Sequence, residues 1–350
     1  MNDPVSLGGR SVGANCPCLI IAEAGVNHNG DLKLALELVD EAAKAGADAV
    51  KFQTFSADRL ASPLAPKASY QMATTDISES QLDMLRRLEL SAKDHYSIMK
   101  RCREKDLLFL SSAFDESSVD LLHHLDVAAF KVPSGEITNL PYLTHVASRG
   151  KPLIISTGMA DLSEVETALE AVEATGNKNL ILLHCLSSYP APRDQVNLRA
   201  MHTLFSVCRV PVGYSDHTEG ISIACAAVAM GACVLEKHFT LDRGLPGPDH
   251  KASIEPEELS RLVEAVRQVK AAMGDGKKVP QSSELGTRDV ARKSLVTAHH
   301  VAAGSKLGDE DIVVMRPGTG FAPRMRSRTV GRIARVNIPA GTPISEDLLV

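Results

Sequence analysis

The 350-residue chain contains no tryptophan, and aromatic residues make up only 4% of it. That scarcity argues against a base-stacking surface or an aromatic carbohydrate platform. No charge of one sign dominates. Lys and Arg number 38 against 43 Asp and Glu, the formal net charge is −5 and the pI is about 6.2. No general attraction to nucleic acid or to an anionic membrane is expected. Long hydrophobic runs are also missing: none reaches membrane-spanning length, and MNDPVSLGGRSVGAN at the start has no hydrophobic signal core. The seven cysteines are odd in number and scattered. Cys185, Cys225 and Cys233 lie in apolar runs, and Cys16 and Cys18 lack the second pair that a zinc site needs. This usage points to a reducing cytoplasm. Finally, EAGVNHNGD carries Gly25 and Gly30 but no G-x-G-x-x-G after the first strand-like run. That weighs against a doubly wound dinucleotide-binding sheet, the alternative architecture for this pattern.

What is present is alternation. Eight short β-like runs occur at 18–26, 49–54, 107–113, 128–134, 152–158, 179–187, 210–216 and 234–240. Helical patterns separate them. Residues 31–47 open on an Asp cap with Leu at helical spacing, 163–176 have a Ser cap and a terminal Gly, and 255–274 close the series. Most of the β-like runs are continuously apolar, as in a parallel sheet buried on both faces. Eight βα units over 1–275 predict a (β/α)8 TIM barrel. A polar linker follows over 276–291, then a small module over 292–350. Within the module, VAAGSKLGDEDIVV (301–314) resembles IPAGTPISEDLLV (338–350) at an offset of 37 residues, which predicts a β-rich unit with internal pseudo-symmetry. Residues 316–335 carry six arginines and no acid.

In a TIM barrel the active site forms at the C-terminal ends of the strands, and polar residues concentrate there. The first strand ends near Glu23, Asn27 and His28, and the second carries Lys51 and Gln53 on one face. The third supplies Ser111 and Ser112, the fourth Lys131, Ser134 and Glu136, and the fifth Ser156 and Thr157. The sixth supplies His184, Ser187 and Tyr189, the seventh Ser215 and His217, and the eighth Glu236 and His238. A lysine inside an apolar strand is costly unless paired. Lys51 and Lys131 therefore have two readings: ion pairs with a glutamate such as Glu23 or Glu236, or cations for a phosphorylated, carboxylated substrate beside serine hydroxyls. His217 and His238 close neighbouring strands about 4.8 Å apart, so both imidazoles can reach one divalent ion, Mn, Fe or Zn rather than Mg. Asp216 points the other way and is read as orienting the turn. His184 is read as a core residue, and His95, His123, His124, His299 and His300 as surface or turn residues.

These motifs occur together and in order: IAEAGVNHNGD, AVKFQTF, FKVPSGEITNLPYL, ISTGM, LLHCLSSYPAP, VGYSDHTEG, LEKHFTLDRGLPGPDH and, in the last module, RPGTG. With them the chain resembles the sialic acid synthase family, the N-acetylneuraminate synthases with their legionaminic and pseudaminic relatives. The resemblance implies a TIM barrel followed by an antifreeze-like (SAF) domain, in a domain-swapped homodimer. It implies condensation of phosphoenolpyruvate (PEP) with an open-chain N-acetylmannosamine-type sugar, C–O cleavage and phosphate release. Under it, His217 and His238 bind Mn2+ or another divalent cation such as Mg2+ or Co2+. Lys51, Ser112, Lys131, Ser134, Ser156, Ser187 and Ser215 hold PEP. Glu23, Gln53, Tyr189 and Asp249 hold the sugar, and Arg316 of RPGTG reaches the N-acetyl group in the partner's barrel. Glu23, Lys51 and Lys131 form the catalytic set, with Glu23 the candidate base for the attacking water. Three departures stand out. The chain has SSAF over 111–114 where many relatives read STPF, Ser187 where some carry Asn, and Pro133 where others have Gly.

The expected activity is N-acetylneuraminate synthesis from N-acetylmannosamine. The alternative is N,N'-diacetyllegionaminate synthesis from 2,4-diacetamido-2,4,6-trideoxymannose. The loop 60–71 and the neighbourhood of Ser187 are the expected readers of the sugar. Two other classes fit the sequence less well. A metal hydrolase needs metal ligands but not two lysines at the barrel mouth. A polyanion-binding module fits the arginine cluster poorly, because only Phe321 accompanies it and the protein is acidic. No nucleic-acid or membrane partner is expected.

Overall fold

The computed structural model describes residues 3–76 and 78–350. They divide into two compact units, Met1–Gly274 and Asp275–Val350. In the first, a hairpin of β1 (Val5–Leu7) and β2 (Arg10–Val12) precedes eight parallel strands. These are β3 (Leu19–Gly25), β4 (Ala49–Thr54), β5 (Leu108–Ala113), β6 (Phe130–Val132), β7 (Leu153–Ser156), β8 (Leu180–Cys185), β9 (Val212–Asp216) and β10 (Val234–His238). They close in sequence order, with β10 returning to pair with β3. Each expected run contains its strand; 49–54 coincides with it and the others are trimmed at one or both ends.

Period two explains the interior. On β3, Ile21 and Glu23 face inward; on β5, Leu110 and Ser112; on β7, Ile154 and Ser156. The lower inward positions join the hairpin residues Val5, Leu7 and Val12 in one buried apolar cluster. Each buried Leu or Ile there contributes roughly 1.5–3 kcal/mol. The hairpin plugs the N-terminal end of the barrel, a role that no pattern in residues 1–15 announces. Space is so short that a Cβ on Gly213 would come within 2.5 Å of the Val234 carbonyl. Outward-facing strand residues pack against the surrounding helices in the larger core.

Helix termini follow capping chemistry. Asp31 caps the helix Leu32–Lys44, as expected, by accepting from the Lys33 amide. The cap of Leu162–Glu173 is Asp161 rather than Ser163, because Asp161 and Glu164 form a reciprocal capping box. Between β4 and β5 the chain makes a long excursion with helices at Ala57–Leu60, Ser69–Thr74 and Gln81–Leu88. Its apolar side chains form a separate cluster with Val26 and Phe55.

In the second unit, β11 (Ser294–Thr297) pairs antiparallel with β12 (Ile312–Met315). The internal repeat is visible in its core: Val301 bridges Ile338, its own counterpart, and the pairs Leu307/Ile344 and Ile312/Leu349 are all buried. The stretch 276–291 is not bare linker, since it includes the helix Leu285–Ala291. Several of the arginines in 316–335 are occupied within the unit. Arg326 pairs with Asp309, and Arg332 pairs with Glu346 and lies 5.9 Å from the Phe321 ring.

Candidate active site

The C-terminal ends of the strands open into a cavity of about 710 Å³. Its floor carries four buried charges: Glu23, Lys51, Lys131 and Glu236 are each at most 5% exposed. Desolvating such groups costs several kcal/mol apiece, so their arrangement must offset it. Lys51 Nζ lies 2.7 Å from Glu23 Oε2, 3.7 Å from Glu236 Oε2, and donates to Ser112 Oγ at 2.9 Å. Lys131 Nζ donates to Ser156 Oγ at 2.7 Å and lies 3.9 Å from Glu236 Oε1. Ser215 Oγ donates to Glu236 Oε1 at 2.9 Å. The lysines are thus paired with glutamates, as the first reading has it, and both also line the cavity.

The two carboxyls are pushed apart. Burial drives the Glu23 carboxyl above the usual carboxylate range; Lys51 opposes the shift and Glu236 adds to it. Burial also acts upward on Glu236, but Lys131 and Lys51 outweigh it and hold this group below the usual range. Burial lowers Lys131, whereas at Lys51 the two glutamates overcome burial and raise it. A raised Glu23 is suited to exchange a proton near neutral pH. Burial pushes Asp249 up to about 6.

Three polar groups converge at Gly25, whose φ of +53° lies in the left-handed region. A Cβ there would sit 3.3 Å from Glu23 Oε1, 3.5 Å from Asp249 Oδ2 and 3.5 Å from Gln53 Nε2. A second glycine, Gly158, lets the other wall close. A Cβ there would come within 2.3 Å of Ser187 Oγ and 2.8 Å of both Ser134 Oγ and Cys185 Sγ.

His217 and His238 face each other at 5.5 Å between ring centroids, with the Tyr189 ring 4.3 Å and 5.5 Å from them. The His217 Nδ1–H donates to the Leu186 carbonyl at 2.7 Å, which leaves Nε2 with its lone pair facing Ser215 Oγ at 3.4 Å. Burial lowers both imidazoles, and each is neutral at pH 7. His238 Nδ1 is buried without a hydrogen-bond partner. Two neutral imidazoles, one oriented by a backbone carbonyl and one with an unused buried nitrogen, fit a divalent cation. No third His, Cys, Asp or Glu joins them as a ligand cluster among the described residues. Substrate or water oxygens would complete such a sphere.

The structure therefore gathers Glu23, Lys51, Gln53, Ser112, Lys131, Ser134, Ser156, Ser187, Tyr189, Ser215, His217, His238 and Asp249 around one cavity. Arg316 belongs to the second unit, where it is exposed just beyond β12. Other strand-end groups serve elsewhere. Asn27 Nδ2 donates to the Phe239 carbonyl, Ser111 bonds Thr54, Thr157 donates to the Leu183 carbonyl, and Glu136 accepts from Asn139. His95 is not a surface residue; it is 1% exposed and bonded to Thr54 Oγ1 and the Ser91 carbonyl. His184 is half-buried and bonds the Val196 carbonyl at 2.7 Å. Glu236 is expected at the mouth as a lysine partner but not among the substrate-binding or catalytic groups, and Cys185, Gly25 and Gly158 are not expected in the site. The period-two spacing of Glu236 and His238 was a signal for the first, whereas nothing local marks the other three.

Residues 38–278 match the NeuB family, and residues 292–350 match the SAF domain. The chain belongs to the NeuB family. It is 50% identical to an N,N'-diacetyllegionaminic acid synthase of Legionella pneumophila over 95% of this chain and 94% of that protein. Human N-acetylneuraminate-9-phosphate synthase is 36% identical over 97% of this chain and 95% of its own length. Among solved structures, an N-acetylneuraminic acid synthetase of Leptospira borgpetersenii, in complex with citrate, superposes with a TM-score of 0.73 at 38% identity. That match covers 82% of this chain and 95% of the other. NeuB membership makes this chain an enzyme, a transferase-type nonulosonic acid synthase. No helix among its described residues is long and apolar enough to cross a membrane.

Proposed function

We propose that the chain is an N,N'-diacetyllegionaminate synthase, which condenses PEP with open-chain 2,4-diacetamido-2,4,6-trideoxymannose and releases phosphate. The observation that carries the chemistry is the buried pair of lysines, each bonded to a serine hydroxyl, on the cavity floor beside two neutral imidazoles. From sequence alone, N-acetylmannosamine is the expected acceptor. The 50% identity to the Legionella enzyme, against 36% to the human one, reverses that order. The cavity supports the reversal. Leu60, Ala61, Met84, Leu85, Leu88 and Phe114 form an apolar wall along it, suited to the 6-methyl and the extra acetyl group of the deoxy sugar.

In this reading Lys51 and Lys131 neutralise the phosphate and carboxylate of PEP, and Ser112, Ser134, Ser156, Ser187 and Ser215 supply hydroxyl contacts. Gln53, Tyr189, Asp249 and Glu23 surround the acceptor. C3 of PEP adds to the aldehyde carbon, water adds at C2, and the tetrahedral centre expels phosphate with C–O cleavage. Glu23 takes the proton of that water, a task that its raised proton affinity suits. His217 and His238 would hold a divalent ion, Mn2+ in our reading, which would supply Lewis acidity toward the aldehyde oxygen. Arg316 reaches the acceptor in another copy's barrel within a domain-swapped homodimer. The seven free cysteines suit a cytoplasmic enzyme.

The test is phosphate release from PEP with Mn2+, offering each acceptor separately and a no-sugar control. The expected result is kcat/KM about 10–100-fold higher with the 2,4-diacetamido sugar than with N-acetylmannosamine. Preference for N-acetylmannosamine would restore the neuraminate reading. Release with neither sugar would count against PEP condensation itself.

A further inference from the structure

The inner faces of β9 and β10 carry the site. Their outer faces carry a feature that the proposed chemistry does not use. Asp216 and Lys237 are direct cross-strand neighbours in the β9–β10 register. Alternation sends them away from Ser215, His217, Glu236 and His238, to the side of the strands opposite the cavity. Lys237 Nζ donates to Asp216 Oδ2 at 2.6 Å and to the Thr218 carbonyl at 2.7 Å. Asp216 Oδ1 accepts from the Thr218 amide at 2.9 Å, from Thr218 Oγ1 at 2.8 Å and from the Tyr214 hydroxyl at 3.2 Å. Asp216 is 1% exposed and Lys237 3%.

A buried ion pair is weak evidence for stability, because an apolar pair of similar volume often does as well or better. What this pair fixes is geometry. His238 is held on its far side by β3, where it stands opposite Glu23 and the following Phe239 amide donates to the Glu23 carbonyl at 2.8 Å. The β9–β10 ladder, in contrast, stops at Asp216, one residue short of His217. The His217 side chain bonds Leu186, and its carbonyl accepts from the Ala191 amide, both in the segment after β8. Toward β10 the tie is Lys237. Its single ammonium grips residues 216 and 218, the two neighbours of His217, and Lys237 itself immediately precedes His238.

We infer that Lys237 and Asp216 are positioning residues: their outer-face clamp sets the spacing and direction of the two imidazoles, and through them the affinity for a divalent ion. The inference rests on the reading of His217 and His238 as a metal site.

The test uses the full chain and the metal alone, without substrate. Mn2+ affinity is measured by calorimetry, Co2+ geometry by its visible absorption, and folding by thermal melting. The double variant Lys237→Met/Asp216→Leu removes both charges together. It is expected to melt at or above the wild-type temperature, bind Mn2+ about 10–100-fold more weakly and show an altered Co2+ spectrum. A folded double variant with wild-type Mn2+ affinity and Co2+ spectrum would overturn the clamp. Should the double variant not fold, Thr218→Val deletes one bond to Asp216 while leaving both charges paired. About five-fold weaker Mn2+ is then expected, and unchanged affinity overturns the inference. His217→Ala separates the two levels. If it binds Mn2+ as the wild type does, the metal site itself falls; if it loses Mn2+ while the clamp variants keep it, only the clamp falls.

Discussion

The lower and upper halves of the barrel interior are built by the same strands with the same period, and they are opposites. Ile21, Leu110, Ile154 and Leu183 fill the lower half. Two residues further along the same strands, about 7 Å on, the inward positions are Glu23, Ser112, Ser156 and Cys185, all on the cavity wall. The contrast shows how one scaffold separates an apolar core from a charged cavity. The apolar half, plugged by the N-terminal hairpin, seals the barrel from below and supplies burial energy. The polar half spends part of that energy on four buried charges whose mutual pairing leaves both lysines facing the cavity.

The comparison breaks most sharply at His217. Replacing it with Ala removes one of the two imidazoles without touching the lower half. Phosphate release should fall by about three orders of magnitude, the equivalent of roughly 4 kcal/mol of lost transition-state stabilisation. The melting temperature without metal should stay within about 2 °C of wild type. A stability loss matching the activity loss would mean that the mouth also holds the fold.

The converse experiment is Leu110→Ala, two residues below Ser112. It opens a cavity in the apolar lower half and should cost about 2–5 kcal/mol in denaturant unfolding, while kcat of the folded fraction changes less than two-fold. A large kcat loss with little change in stability would erase the division between the halves.

The smallest expected effect sharpens the boundary around the mouth. Burial lowers His28, which is fully buried just after β3, to about 4 from the ordinary 6.5. Between those values the unfolded chain binds the extra proton, so stability rises with pH across the window and is lost as pH falls from about 6.5 toward 4. His28→Asn should flatten this limb of the melting-temperature profile between pH 4 and 6.5. An unchanged limb would assign it to other buried histidines such as His250, which burial likewise lowers to about 4.

Much of this molecule was legible before any coordinates. The eight apolar runs gave the barrel, because a strand buried on both faces must be apolar along its length. The lysines interrupting those runs, and the histidines two residues beyond Ser215 and Glu236, marked the mouth, because period two puts them on one face. The core of the second unit was legible in its repeat, which pairs Val301 with Ile338. The choice between acceptor sugars was not legible. In the proposed reading it turns on an apolar wall assembled largely from the excursion between β4 and β5, whose side chains face the cavity only once its helices are packed.

Sequence by itself therefore determined the architecture and the identity of most groups at the mouth, through periodicity and the cost of burying charge. Tertiary structure decided what the groups do to one another. Glu23 gains proton affinity and Glu236 loses it although both are buried glutamates on neighbouring strands, because burial and the nearby Glu236 outweigh Lys51 at the first, whereas Lys131 and Lys51 together outweigh burial at the second. Gly158 matters because three side chains distant in sequence occupy the space where its Cβ would be. His95, read as a surface residue, is buried because its partner Thr54 comes from β4, where Thr54 also bonds Ser111 of β5. Such effects depend on distances between residues far apart along the chain, and those distances exist only after the barrel has closed.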